Sequence, residues 1–171
     1  MSLRVRRTAP VACASRPGKL AVVIVAGAGA FDNAATALEA GADVHLLCRR
    51  AEVQTVQPYH WLTFRGFLRH FSDLDDAWRW RFMKTVLEMR EGFPQPTWDR
   101  CARHAGFHLH EGSPVESAEQ VGDSVALHTP SGIYEADFVS CGTGIAMDFA
   151  GRRELQNCAG NIARWNDRYL P

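Results

Sequence analysis

The chain has 171 residues, and its 19 acidic side chains balance its 19 basic side chains. This length suits one domain with a core of ordinary size, and the charge balance argues against binding to nucleic acid or to an anionic membrane. The longest apolar run, 20–31, is too short for a transmembrane helix. Five cysteines without a Cys-x-x-Cys pair leave one outside any full disulfide scheme, which favours the reducing cytoplasm.

The first 18 residues mix Arg, Ser, Ala and Pro without an apolar period, which predicts a flexible basic leader over 1–18. A secretion signal is the alternative, because such a signal has three parts that this sequence also contains. They are a basic start, an apolar run and a cleavage triplet, here Ala-Gly-Ala at 28–30. The prolines of the leader argue against it, and the segment after the triplet needs the apolar run as its first strand. We therefore predict one domain over 19–171.

The first elements of this domain form a β-α-β unit. Residues 20–25 are a continuous apolar run rich in β-branched side chains, which is typical of a strand buried on both faces. Apolar residues at three-to-four spacing predict a helix over 30–40 that stops at Gly41. Residues 43–48 form a second short strand, so a parallel strand pair joined by a helix is expected.

A helical insertion is predicted at about 51–106. Its main helix opens with Ser72 and Asp75 as cap and first-turn acid, carries an apolar stripe expected to face the core, and closes at Gly92. A shorter helix follows, running from Thr97 to Gly106.

The last third of the chain alternates strand-like runs with turn signals at 122–123 and 130–132. This pattern predicts a small antiparallel meander that feeds a final strand over 136–141. The whole pattern indicates an α/β fold, a Rossmann-like parallel sheet with helices and a small antiparallel β-meander.

The glycine-rich stretch after the first strand lies where dinucleotide-binding folds place their phosphate-binding turn. Two registers are open. Gly27-x-Gly29-x-x-Asp32 puts a carboxylate at the third, close-packed position, whereas Val25-x-Gly27-x-x-Ala30 has a small third residue but a β-branched first one. In either register, the pyrophosphate would lie on the N-terminus of the helix.

The second strand ends in Arg49 and Arg50, and no acid follows until Glu52. An acid at this position accepts the ribose hydroxyls of NAD, whereas an arginine neutralises the 2′-phosphate of NADP. The pair therefore favours NADP(H) as the cofactor, and a solvated loop is the alternative.

His104, His108 and His110 raise the question of a metal site. Gly106 separates the first from the other two, and no cysteine or carboxylate pattern completes a ligand set. We predict no bound metal. No Ser-His-Asp or Cys-His arrangement is legible, so no catalytic residue is named.

Five motifs in their order along the chain resemble the middle of FAD- and NAD(P)H-dependent oxidoreductases related to flavin-containing monooxygenases. They are "GAFDNAATALEAGADVHLLCRR", "GFLRHFSDLDDAWRW", "PQPTWDRC", "ADFVSCGTGIAMD" and "RRELQNCAGNIARWNDRYLP". The resemblance spans nearly all of 17–171. It implies the NADPH-binding domain of an enzyme in which NADPH reduces FAD and the reduced flavin activates O2.

The resemblance also implies site residues. The family's turn, Gly-x-Gly-x-Ser-Ala-Phe-Asp-Asn-Ala, aligns with 31–34 and selects the second register, with Val25 in place of the first glycine. Residues 141–144 match a Thr-Gly turn that leads back towards the flavin. Together with the arginine pair already identified after the second strand, the predicted cofactor-binding residues are Val25, Gly27, Gly29, Ala30, Arg49, Arg50, Gly142, Thr143 and Gly144.

The family's N-terminal FAD fingerprint has no counterpart in the leader, which contains no Gly-x-Gly. The resemblance therefore implies an NADP(H)-binding portion of a flavin-dependent oxidoreductase or monooxygenase, expected to be inactive in isolation. Its expected partners are the dinucleotide and either a flavin-binding partner or a second copy of the chain. The alternative is a non-catalytic nucleotide-binding or docking fragment from a truncated gene.

Overall fold

The computed structural model describes residues 18–24, 27–55, 62–89, 92–144, 151–164 and 167. The chain divides into two compact units, 1–57 with 92–143 and 58–91 with 144–171. The leader predicted at 1–18 lies, apart from Gly18, outside the described residues. The insertion predicted at about 51–106 is shared between the two units, and the domain boundaries stay a prediction.

The regular elements are listed here in chain order. They are β1 (Leu20–Ile24), α1 (Ala28–Glu39), β2 (Asp43–Leu47), α2 (Arg65–His70), α3 (Asp76–Met89), α4 (Gln95–Ala102), β3 (Phe107–His110), β4 (Ser117–Val121), β5 (Ser124–Thr129), β6 (Gly132–Ala136) and β7 (Phe138–Cys141). Short 3-10 turns occupy Phe71–Asp73, Arg153–Leu155 and Ala159–Asn161. Within the described ranges, no helix has the length and apolar character needed to cross a bilayer.

The first unit is built on a parallel sheet with the strand order β3-β2-β1-β7. β1 pairs in parallel with both β2 and β7, and β2 pairs in parallel with β3. The chain order reverses between β1 and β7, which creates the switch point at which open α/β sheets bind ligands. The predicted Rossmann-like α/β fold is confirmed.

The predicted meander is also present, as the antiparallel sheet β4-β5-β6. The final strand predicted over 136–141 is wrong in its start, because Asp137 interrupts it. The Asp137 carboxylate accepts hydrogen bonds from Lys19 Nζ at 2.5 Å and from the Leu20 N–H at 2.9 Å. The bond from Lys19, and to a smaller extent that from Leu20, lowers the pKa of Asp137. The residues after Asp137 form β7, which pairs with β1 in the parallel sheet.

The helices α1 and α4 cover one face of the parallel sheet. Phe31 of α1 is fully buried, with its ring 4.2 Å from that of Phe93 and 5.9 Å from that of Trp98. The Arg100 guanidinium of α4 donates twice to the Glu39 carboxylate of α1, at 2.9 and 2.8 Å, and lowers the pKa of that carboxyl. The meander packs against the opposite face of the sheet, through Val22, Leu47, Leu127 and Ala136.

The second unit contains α2 and α3. The cap of α3 is Asp75 and not Ser72, because the Trp78 N–H donates to the Asp75 carboxylate at 2.9 Å. The apolar stripe predicted to face the core is largely unburied, since Val86 is the one buried residue of this helix. Trp78 is instead half-exposed, and the Arg81 guanidinium lies 4.6 Å from its ring centroid, a cation–π arrangement.

Candidate functional site

A cleft of about 370 Å³ opens at the carboxyl ends of β1 and β2, within the first unit. Ile24, at the end of β1, and residues 47–50 form one side of it, and Thr143, just after β7, also lines it. The remaining lining residues are Val53, Ser113, Pro114 and Val115. The cleft therefore lies at the switch point of the sheet, where dinucleotides bind in folds of this class.

The N-terminus of α1 is open to a ligand. Gly27 is the N-cap and offers no side chain to the helix, and a Cβ atom built on Gly27 or Gly29 would have no heavy atom of the described residues within 4 Å. The amides of Ala30 and Phe31 donate to the Gly27 carbonyl at 3.0 and 3.2 Å. The N–H groups of Ala28 and Gly29 lie too early in the helix for such a bond. With no acidic residue in the first turn, this end of the helix suits an anion.

The packing of α1 against the sheet distinguishes the two registers of the turn. Ala30 is 1% exposed, and a Cβ atom on Gly142 would lie 2.8 Å from its Cβ atom. Ala30 therefore occupies the close-packed point between helix and strand, the place of the third small residue. Asp32 points elsewhere, since its carboxylate accepts from Thr97 at 3.2 Å and from Arg100 at 3.4 Å. This geometry favours Val25-x-Gly27-x-x-Ala30, although Val25 lies outside the described residues.

Arg49 and Arg50 follow β2 after Cys48, and both line the cleft. Arg49 is exposed and Arg50 is half-buried. Within the described part of the chain, neither guanidinium is in an ion pair with a carboxylate. Their charge is thus available to an anion in the cleft.

The Gly-Thr-Gly turn after β7 is divided between the units. The Gly142 N–H donates to the Ile24 carbonyl at 3.0 Å, which extends the pairing of β7 with β1. Thr143 faces the cleft, whereas Gly144, with a φ of +84°, belongs to the second unit.

The loop after β3 supplies cleft residues that sequence reasoning missed: Ser113, Pro114 and Val115. The sequence predicts strands for this region and gives no partner for β3. The parallel pairing of β3 with β2 brings the loops after the two strands side by side. The apolar alternation at 107–110, directly after a helix, is the signal that could have placed this strand in the parallel sheet.

Histidines of β2 and β3 form a cluster on the sheet face that packs against the meander. His45 Nδ1 lies 3.0 Å from His110 Nε2, and His110 Nδ1 lies 3.3 Å from the Tyr134 hydroxyl. The His108 ring is 4.7 Å from that of His45. Among the described residues, no three His, Cys, Asp or Glu side chains are placed to hold a metal. His45 was missed because it lies far from the other two in sequence.

This cluster predicts a loss of stability in mild acid. Burial, followed by the charges of His108 and His110, lowers the pKa of His45 from its usual 6.5, against a raising effect of Asp43. Burial and His108 lower the pKa of His110 in the same way. As the pH falls, these histidines therefore take up protons in the unfolded chain before they do so in the folded chain. Their contribution to stability is fully present above about pH 6.5 and is lost as the pH decreases below it.

The measurement is the free energy of unfolding in urea at about pH 7.5 and about pH 5.5, a window above the titration of most carboxylates. We expect a lower value at the acidic pH, and a smaller difference for His45→Phe. Equal stability at both pH values would contradict this account of the cluster.

Comparison with known proteins supports the resemblance seen in the sequence. No protein-family model matches the chain. A protein of Xanthomonas campestris pv. campestris named FAD-dependent urate hydroxylase is 35% identical over 161 residues. The match covers 94% of this chain. The predicted resemblance to FAD-dependent oxidoreductases is confirmed. The chain spans about a third of the length of this relative, since the match covers 34% of it.

Two solved structures have the same fold. L-lysine 6-monooxygenase from Pseudomonas syringae has a TM-score of 0.56 at 18% identity, with 78% of this chain and 37% of that chain covered. Ornithine hydroxylase from Pseudomonas aeruginosa has a TM-score of 0.56 at 14% identity, with 82% of this chain and 39% of that chain covered. At these identities, the two likenesses show the fold alone.

Proposed function

We propose that the first unit binds NADP(H) at the carboxyl ends of β1 and β2, as the pyridine-nucleotide portion of a flavin-dependent oxidoreductase. The observation that carries this proposal is the pair Arg49 and Arg50, which lines the cleft and has no ion-pair partner among the described residues. In this fold, the end of the second strand meets the ribose that carries the 2′-phosphate.

The groups at the N-terminus of α1 have separate roles in the proposed complex. The open backbone at Gly27 and the N–H groups of Ala28 and Gly29, which precede the first hydrogen bond of the helix, receive the pyrophosphate. The close packing of Ala30 against Gly142 sets the distance of the helix from the sheet, and so the position of its N-terminus relative to the pyrophosphate. Together these groups bind and orient the dinucleotide, which is the protein's task in a cofactor-dependent reaction.

FAD, when bound in the complete family enzyme, accepts the hydride of NADPH and activates O2. Among the described residues of the first unit, one parallel strand, β1, is followed by a glycine-containing turn and a helix whose N-terminus could bind a pyrophosphate. We assign this strand, turn and helix to the binding of NADP(H). We expect this chain alone not to reduce flavin.

The binding proposal is tested by calorimetric titration with NADPH, first of the wild-type chain and then of Val25→Gly. In the register favoured by Ala30, residue 25 is the first position of the turn, where a β-branched side chain hinders the sharp bend and glycine does not. We expect the wild-type chain to bind NADPH and Val25→Gly to bind it more tightly.

NADH provides the control for this substitution, because both nucleotides carry the same pyrophosphate. Val25→Gly is expected to tighten the binding of NADH by the same factor. Unchanged or weaker binding of both would contradict the register, and a wild-type chain that does not bind NADPH would contradict the proposed function.

A further inference from the structure

The pairing between β2 and β3 continues beyond the ends of both strands. The Cys48 N–H donates to the His110 carbonyl at 2.8 Å, and the Ser113 N–H donates to the Cys48 carbonyl at 2.8 Å. The Gly112 N–H then donates to the Arg50 carbonyl at 2.6 Å. The backbone on both sides of Arg49 is thus bonded to the loop after β3.

A side chain completes this connection. The Glu111 carboxylate accepts a hydrogen bond from the Val53 N–H at 2.5 Å. Val53 is 9% exposed and lines the cleft. Removal of the carboxylate would therefore leave a largely buried N–H group without its hydrogen-bond acceptor, which is unfavourable. The loop 49–53 is therefore attached at its far end as well as at its start.

Glu111 is not among the residues that line the cleft. It lines instead a second cleft of about 410 Å³, together with Phe93 and Trp98, and Val53 lines both clefts. The side chain of Glu111 is connected to the loop that carries Arg49 and Arg50 through its hydrogen bond to the Val53 N–H. When this loop is held in one conformation, Arg49 and Arg50 lose less conformational entropy on binding an anion.

We propose that Glu111 is the positioning residue of Arg49 and Arg50, and that its hydrogen bond to Val53 sets the preference of the cleft for a nucleotide with a 2′-phosphate. This inference rests on the proposed function. Glu111 acts as a hydrogen-bond acceptor of the right length, and its negative charge is not what the arginine loop requires.

The test compares two conservative variants, Glu111→Asp and Glu111→Gln, by calorimetric titration with NADPH and with NADH. Asp keeps the charge but is one methylene too short to reach the Val53 N–H, whereas Gln keeps the length and an acceptor oxygen. We expect Glu111→Asp to bind NADPH about 3- to 10-fold more weakly, the effect of one hydrogen bond, and to bind NADH as the wild type does. Glu111→Gln is expected to match the wild type with both nucleotides.

Binding of NADH serves as the control for a general loss of structure, which would weaken both nucleotides. If Glu111→Gln loses as much NADPH affinity as Glu111→Asp, or if Glu111→Asp matches the wild type, the inference is overturned while the proposed function stands. If both nucleotides weaken together in Glu111→Asp, the residue supports the fold and not the preference, and the inference is again overturned. A wild-type chain that does not bind NADPH overturns the proposed function itself.

Discussion

Replacing both Arg49 and Arg50 by alanine is expected to weaken NADPH binding by roughly 10- to 100-fold, the effect of about 1.5–3 kcal/mol from charge-assisted hydrogen bonds. The two guanidinium groups line the cleft at the end of β2, and no carboxylate among the described residues pairs with them. A 2′-phosphate would therefore gain their charge without displacing an existing ion pair. Binding of NADH, which lacks this phosphate, is expected to change little.

The matched control for the arginine pair is the double variant Arg103→Ala with Arg152→Ala, which removes the same charge from two exposed residues that are not among those lining the cleft. This control is expected to bind both nucleotides as the wild type does. If the control loses as much NADPH affinity as Arg49→Ala with Arg50→Ala, a general field effect would explain the loss. Equal weakening of NADPH and NADH in the cleft variant would exclude a 2′-phosphate contact.

Gly142→Ala is expected to destabilise the chain by about 1–3 kcal/mol, the usual effect of overpacking a close contact. The added Cβ atom would lie 2.8 Å from the Cβ atom and 3.2 Å from the Cα atom of Ala30. Because Ala30 belongs to the first turn of α1, relief of the clash moves the helix away from the sheet. The same movement shifts the turn that we propose binds the pyrophosphate, so NADPH and NADH are both expected to bind more weakly.

Unfolding in urea measures the first effect and calorimetric titration the second. Gly29→Ala is the control for stability, because it adds the same methyl group to α1 at a place where none of the other parts of the chain that the structure describes has a heavy atom within 4 Å. We expect that variant to be as stable as the wild type or slightly more stable, since alanine favours helix over glycine. Wild-type stability of Gly142→Ala would contradict the close approach of α1 to β7.

The local elements of the first unit are those that the sequence predicts best. β1, α1 and β2 follow from a buried apolar run, a three-to-four apolar spacing and a glycine stop, which are all contained in about 30 consecutive residues. The partner of β3 depends on a pairing between Val44 and Phe107, far apart in the chain, and no local pattern specifies such a contact. For this reason, the sequence identifies the arginine pair but not the loop that holds it.

Two further differences have local causes that a pattern of residue types does not reveal. Asp137 interrupts the predicted final strand because it binds Lys19 and the backbone of Leu20. Asp75 caps α3 in place of Ser72, since its carboxylate is the one that reaches the N–H three residues later. In both cases, the role of the aspartate depends on which group its carboxylate reaches in the folded chain, and the residue type alone does not specify that group.

The most direct test of the proposed NADP(H) site compares two ligands by calorimetric titration of the wild-type chain. The ligands, 2′,5′-ADP and 5′-AMP, differ in one phosphate group. These fragments contain no nicotinamide, so the result does not depend on a flavin or on hydride transfer. We predict that 2′,5′-ADP binds at least about 10-fold more tightly than 5′-AMP, since a phosphate on two guanidinium groups is a charge-assisted contact. Equal binding of the two ligands would contradict an NADP(H) site at Arg49 and Arg50.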